Sequence, residues 1–448
     1  MVGRPSWERV GSSWRWARCA PSAERQEASI FAVLRHRDFA LIWSGQLVSG
    51  LGDWLRNMAL LYWVFSVTGG ESPVATAAIT VATTAPALLL GLTAGTLADR
   101  WERRSVLVFC DAARCVLSLL QLVAVAKQSL PLAYVVAFCS SAVEQLYDPA
   151  RVALIRTTVP REDLMAASSL RQATSSAIMI LGMALGTGIF FMLGPWVSFA
   201  LDSASFLVAM CINLAIRARC VSTPGKAVAS VWREAREGLA YVRGSVFVRS
   251  LLGLGAMAMA ASGLIEVVQI YLVTRELGLP EDRLAWLGMT LGVAMFAGFA
   301  VAGILHRRLR LEWLPGLGLG ICGAGVLTMA VAPSLAVAMG GMVLIGLGNV
   351  LLNVGLGPLM QTHVELGLLG RVMGVFRSVS TASLLLGASS AGYLIAHVDT
   401  RHVTGLAGGI LLVAALVTGS RLSRAVVALR AGAVAEAPVP APAAVGAK

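Results

Sequence analysis

Between Phe39 and Leu429 the chain alternates long apolar stretches with short polar breaks. No other feature limits the fold as much, because a helix needs about 20 residues to cross the hydrocarbon of a bilayer. The pattern predicts spans at 39–67, 74–98, 104–126, 131–150, 167–192, 196–216, 250–273, 285–305, 314–332, 335–360, 372–397 and 404–425. In lipid only segments that satisfy their own backbone persist. A β-barrel would show segments of about ten residues with strict alternation, and these runs are too long and too uniformly apolar for that. Composition agrees: the chain is 57% hydrophobic and 13% charged, about half the charged share of an ordinary soluble protein. The expected fold is an all-α membrane protein with twelve transmembrane helices.

The basic residues give this count an orientation. Arg100, Arg103 and Arg104 follow the second span, Arg151, Arg156 and Arg161 the fourth, and Arg307, Arg308 and Arg310 the eighth. The turns near Gly69, Gly194 and Pro333 carry almost none. Cytoplasmic loops hold the excess of Lys and Arg, so both termini are expected in the cytoplasm and the chain in the cell (inner) membrane. The net charge of +12 therefore reads as topology and not as nucleic-acid binding. Shifting the count by one helix would scramble the bias.

The longest internal loop divides the spans six and six. The expected organisation is an N-terminal cytoplasmic extension (1–38), a six-helix bundle (39–216), a cytoplasmic linker (217–249), a second six-helix bundle (250–428) and a disordered tail (429–448). The first 28 residues lack the uninterrupted apolar core of a signal peptide. Within the linker, Val231, Ala235, Leu239 and Val242 share one face of a predicted amphipathic helix. Such a helix either lies on the headgroups or is a solvated connection. The halves also echo each other. Ala153–Val159 (ALIRTTV) resembles Pro358–Val364 (PLMQTHV), and Gly95–Arg104 has a weaker partner in Gly303–Arg310, both at offsets near 205 residues. Duplication into two six-helix halves is a transporter architecture.

Gly95, Asp99, Arg100, Arg103 and Arg104 form Gly-x-x-x-Asp-Arg-x-x-Arg-Arg, which resembles the loop signature between helices two and three of the major facilitator superfamily. Physically, Gly95 lets a neighbouring helix approach, Asp99 suits the positive N-terminus of another helix, and the arginines anchor to phosphates or pair with acids. The resemblance implies a cytoplasmic lock whose partner helix begins near Arg371; the bland reading is that the arginines only fix topology. A narrower resemblance covers most of 34–425. It rests on Leu34–Leu55, Asp111–Cys115, Asp148–Ile155, Leu201–Leu207, Arg236–Arg243 and Gly370–Val379, and it points to the branch holding the enterobactin exporter and macrolide efflux pumps. That branch implies export of a hydrophobic or amphipathic small molecule and exchange for protons. One departure stands on helix five. Gly182 and Gly186 keep the small-residue spacing that favours close helix packing, but the proline of the antiporter signature is absent.

Ionisable groups inside a span are costly and mark sites by default. Asp53 and Arg56, three residues apart, share a helix face; the pair is either static or a proton- or substrate-linked carboxylate with its counterion. Asp111 and Arg114 repeat the spacing nearer the inner surface and are assigned, with Arg151 and Arg371, to an inner charge network. Glu144 and Glu266 have no opposite charge one turn away and must face a cavity, find a partner on another helix or hold a proton. Glu266, with Gln269 on its face, joins Asp53 as a coupling candidate. Asn349 and Asn353 either line the cavity or bond a neighbour, and Asp202 is read as a polar packing contact. Trp54, Tyr62, Trp63, Phe296, Phe299 and Phe376 are candidate cavity walls.

Other chemistries have little support in the sequence. The seven cysteines show no paired spacing and several lie in apolar runs, and the five histidines are unclustered. There is no phosphate loop and no nucleophile elbow. The expectation is a monomeric secondary transporter without cofactor or metal, with a small-molecule substrate, a proton gradient and membrane lipid as its partners and no nucleic acid. Import of a nutrient, a membrane-embedded enzyme and a non-transporting sensor are the competing readings.

Overall fold

The computed structural model describes residues 31–98, 101–218, 228–305, 310–364 and 366–435. The first four spans are α1 (Arg37–Val67), α2 (Pro73–Ala98), α3 (Arg103–Ala126) and α4 (Leu130–Thr158). A helical run over Leu164–Leu214 breaks at Gly194, whose φ of 81° and ψ of 175° are not helical, and Pro195 follows it. Glycine takes positive φ without a Cβ clash, and proline suits a helix start. The break yields α5 (164–193) and α6 (195–214). Then come α7 (Val228–Gly244), α8 (Val246–Tyr271), α9 (Leu284–Leu305), α10 (Leu314–Ala330), α11 (Leu335–His363), α12 (Leu366–His397) and α13 (Thr400–Ala435). Among the described residues there is no strand. Among the described residues, nine helical segments are long and apolar enough to span by length and composition, the Leu164–Leu214 run counting once. Its division at Gly194, together with α1 and α9, completes twelve transmembrane helices; α7 does not span.

An even number of spans returns both described ends to one face. We call it the basic face, since α3 starts there at Arg103 and Arg104 and α4 ends there after Arg156. The two sets of six helices repeat their neighbours. In the first, α1 packs on α5 and α6, α2 on α4, and α3 on α4 and α6; in the second, α8 packs on α12 and α13, α9 on α11, and α10 on α11 and α13. The sets meet along two seams that are each other's pseudo-symmetric image, α2 with α12 and α5 with α9. Gly392 of α12 faces Ala77 and the Pro73 carbonyl of α2, and Gly292 of α9 faces the Ile180 carbonyl of α5. Small residues at such crossings let backbones touch where lipid supplies no hydrophobic drive.

The apolar core is continuous at one face only. At the face opposite the basic one, a single buried cluster draws Leu60, Phe65 and Phe199 from the first set and Leu264, Tyr271 and Met329 from the second. At the basic face the core is split. Phe39, Leu107, Leu154 and Ile216 belong to a cluster of the first set alone, and Phe247, Leu251, Leu359 and Val372 to one of the second.

Three expectations need correction. Arg151 and Arg156, expected to follow a fourth span ending at 150, lie within α4, which remains helical to Thr158. The linker helix, expected on headgroups or in solvent, has one face packed on protein: Gly238 lies against the Arg371 carbonyl, and Val242 is buried with Phe247 and Val372. The tail was set from 429, whereas α13 continues to Ala435; residues 436–448 lie outside the described residues, as does the extension before residue 31.

Candidate functional site

The interior charges of the first set converge on one cavity. Asp53 of α1 sits between two guanidiniums. Arg56, one turn on, places Nη2 3.0 Å from Asp53 Oδ1, and Arg114 of α3 donates to the same oxygen. Arg114 is 2% exposed and also lies 3.9 Å from Glu144 of α4. Its guanidinium stacks 4.3 Å from the centre of the Phe206 ring on α6, a contact strengthened by desolvation. Arg56 donates in addition to Ser140 Oγ at 2.8 Å. Helices α1, α3 and α4 are thus tied together by charge-assisted bonds, stronger than neutral ones in a site of low dielectric.

A chamber of about 350 Å³ opens against this network, with Asp53, Arg114, Glu144, Asn57 and Trp54 on its wall and Arg377 of α12 contributed by the other set. Glu144 lies deep in the bundle, yet 45% of its side chain is accessible; that exposure is to the chamber. Gln46 and Ser175, also on the wall, join α1 to α5 through a 3.1 Å bond, and Trp43 donates to Thr174 at 2.7 Å beside it. The chamber shares Asp148 and Arg377 with a second cavity of about 530 Å³ running along α4 to the basic face. Arg151 pairs with Asp148 and stacks 5.6 Å from Tyr147.

Arg114 leaves the inner network to which the sequence assigned it and becomes the hub of the central site. Asp111 is fully buried and accepts from Asn213 Nδ2 of α6 at 2.7 Å, which also donates to Tyr147 at 3.3 Å. Asp202, also fully buried, accepts from Ser118 at 2.7 Å. Arg371 pairs at 2.7 Å with Glu237 of α7 and so ties the linker helix to α12. Of the loop signature, Asp99 and Arg100 lie outside the described residues, and Gly95 is placed only as helical backbone in α2. Arg103 lines the second cavity. Arg104, expected to hold phosphates or acids, instead donates to the Asn213 and Leu214 carbonyls, a cation capping the negative end of α6.

Glu266 makes no hydrogen bond or ion pair among the described residues and is partly buried in α8. Gln269 follows it one turn on. Asn353 donates back to the Asn349 side chain and carbonyl, each at 2.9 Å, so the two form a local pair on α11. Gly182 and Gly186 lie under Trp54 and Met58 of α1, which identifies the neighbour of helix five. Of the aromatic candidates, Trp54 faces the chamber; Tyr62 and Trp63 are core, and Phe296 and Phe299 are exposed. Phe376 packs beneath Gly255.

Outside the spans, Asp163 clasps the segment that enters α1. His36 and Arg35 both reach its Oδ2 at 3.0 Å, and these bonds hold the Asp163 carboxyl below the usual carboxylate range. Asp38 accepts from the Arg217 and Ala218 N–H groups at 3.3 and 2.8 Å. Asn213, Tyr147, Ser140 and Arg377 also belong to the site, beyond the residues that the sequence pattern marks. Only Arg377 carried a signal, for it is a charge within the 372–397 span, the criterion that selected Asp53.

Twelve helices in two pseudo-equivalent sets, closed at one face and split at the other around a charged chamber, define a polytopic membrane carrier. The chain belongs to the Major Facilitator Superfamily, whose family profile matches residues 42–388. It is 24% identical over 358 residues to the uncharacterized MFS-type transporter YkuC of Bacillus subtilis (strain 168), covering 77% of this chain and 82% of that one. It is 23% identical over 385 residues to YfiS of the same organism, also an uncharacterized MFS-type transporter, covering 84% and 91%. Its fold is similar to that of a bacterial homologue of the iron transporter ferroportin in an inward-facing state (TM-score 0.67, 15% identity, 87% of this chain and 98% of that). It is also similar to a POT family transporter in complex with a thioalcohol-conjugated peptide (TM-score 0.70, 10% identity, 87% and 96%). The protein is a multi-pass membrane transporter and not an enzyme.

Proposed function

We propose that this transporter exports a hydrophobic or amphipathic small molecule by alternating access, in exchange for protons. The observation that carries the reading is the chamber in which Asp53 and Glu144 compete for Arg114 while Glu144 faces open space. Protonation of either carboxylate would release part of the guanidinium's hold across α1, α3 and α4. A proton can therefore bias the packing of the first set, which is the differential interaction that any coupled transition requires. Glu266, without a partner among the described residues of the opposing set, is a second place for a proton. The branch resemblance favours efflux of drug-like or siderophore cargo, and the arginine distribution favours a cytoplasmic basic face in the inner membrane. In this reading the chain works as a monomer, with the loop signature and the Arg371 end of α12 serving as its cytoplasmic lock.

The test is export from proteoliposomes under an imposed pH gradient. Wild type is expected to accelerate export when protons run inward. Asp53→Asn and Glu144→Gln are expected to keep their protein level and lose the acceleration. Full gradient dependence in both variants would remove these residues from coupling, and net flux in the importing direction would end the export reading.

A further inference from the structure

The mouth of the chamber has a charge and shape of its own. Two cavities continue from the chamber toward the basic face along one wall of α4. Among the described residues the nearer is lined by Arg103, Arg156 and Arg377 and by one carboxylate, Asp148, which Arg151 already pairs. The next, of about 610 Å³, shares Val152 and Arg156 with it and adds Arg171 of α5. Among the described residues no acid lies on its wall; Ile155, Leu164 and Met165 supply an apolar lining. Among the described residues, Arg156, Arg171 and Arg377 form no ion pair. The chamber beyond is different, since Asp53, Glu144 and Asp148 stand on its wall with Arg114, Arg151 and Arg377, carboxylates and guanidiniums in equal number.

We propose that this mouth, built by α4, α5 and α12, binds an anionic amphiphile, a molecule with a carboxylate, sulfonate or phosphate on an apolar body, as it enters the chamber. The proposal names the cargo class of the site above and rests on the export reading.

Arginines at this face would be explained by topology alone if they stood at helix ends. Arg377 does not, because it lies eleven residues into α12, about 16 Å along the helix. It forms a wall of both the chamber and the mouth. Arg156 and Arg171 approach from two helices of the other set, so the cations converge from both halves. Guanidinium forks match carboxylate and phosphate oxygens bidentately, and a cleft of one charge sign with low-dielectric walls concentrates ligands of the other. An apolar wall beside them seats the body of the molecule. A cationic drug would meet the repulsion of three unpaired guanidiniums before it reached Glu144.

The experiment uses the full chain in phosphatidylcholine proteoliposomes with two fluorescent probes of similar size, an anilinonaphthalene sulfonate and a cationic rhodamine. Binding and efflux of the sulfonate are expected, with little of either for the rhodamine. Arg377→Gln and Arg156→Gln should each weaken sulfonate binding about tenfold, the worth of one charge-assisted contact. Arg377→Lys should recover most of it, and rhodamine should be unaffected throughout. Gradient-driven efflux of rhodamine without sulfonate would overturn the anion site and leave the export reading standing. Sulfonate binding lost in Arg377→Gln but without efflux of either probe would support the site and overturn export instead. If phosphatidylglycerol vesicles abolish sulfonate binding and no efflux is seen in phosphatidylcholine, the mouth is a lipid-headgroup seat and the cargo assignment fails. A monodisperse elution profile for each variant separates these outcomes from misfolding.

Discussion

Arg114 shows how much a single buried charge decides. It is 2% exposed and reaches Asp53, Glu144 and the Phe206 ring from one position in α3. Removing one partner of a buried pair costs about 3–5 kcal/mol because the other charge is stranded. Arg114→Ala is therefore expected to destabilise the protein by that amount, and Asp53→Asn in the same chain should restore part of it. Thermal unfolding in detergent reads both, and an Arg114→Ala variant that melts like wild type would remove the hub. The i, i+3 spacing made Asp53–Arg56 legible in the sequence. The Arg114 contact joins residues 61 positions apart, and no local periodicity carries that distance. For the same reason Asp111 and Arg114 looked alike, although one bonds an amide of α6 and the other anchors the chamber.

Single helices owe their tight seams to glycines that clear a path. A Cβ on Gly182 would lie 2.5 Å from that of Trp54, and one on Gly186 would lie 3.0 Å from the Trp54 carbonyl. Both belong to the α1–α5 contact, and Trp54 is also a wall of the chamber. Gly182→Val should force the helices apart and cost about 1–3 kcal/mol by overpacking, whereas Gly340→Ala, with nothing within 4 Å, should be nearly neutral. Equal melting temperatures for wild type and Gly182→Val would contradict the packing. The small-residue spacing was readable in advance, but its partner helix was not. The same holds for α7. Its apolar face was evident from the 231–242 pattern, while the surface that covers it, at Arg371 and Val372 of α12, depends on how distant helices assemble.

Across the whole molecule, closure at the face opposite the basic one combines the shared apolar cluster with a few bonds between the sets. Tyr271 of α8 meets Thr76 of α2 at 2.9 Å and packs edge-on to Phe65. Beyond Tyr271 the chain makes a π-helical turn, Leu272–Glu276, a rare geometry often found at functional positions. It directs Arg275 to the Gly70 carbonyl at 2.8 Å and over the Tyr271 ring at 4.8 Å. Gly70 has a φ of +71° and leaves its Cβ space to the Phe65 ring. The Tyr271–Thr76 and Arg275–Gly70 bonds and the Phe65–Tyr271 edge contact join the two sets across this face, so losing them is expected to favour the alternative state. The variant combining Thr76→Val and Arg275→Ala is expected to raise thiol labelling of a cysteine placed at Phe65 by about tenfold, the effect of 1.4 kcal/mol. Unchanged labelling would mean that the apolar cluster alone holds the face closed.

The sequence by itself determined the number of spans, their common helical class and the duplication, because lipid imposes one length and one backbone solution on every crossing segment. It also marked most of the ionisable residues of the site, since each charge inside an apolar run stands out against its neighbours. The tertiary structure decided which charges meet, which glycine serves which helix, which face is shut and where the unpaired arginines converge. Those are contacts between segments tens to hundreds of residues apart, and helices of similar hydrophobicity can exchange places without altering the pattern along the chain. The apolar runs therefore define the class of molecule, and the geometry between them holds its chemistry.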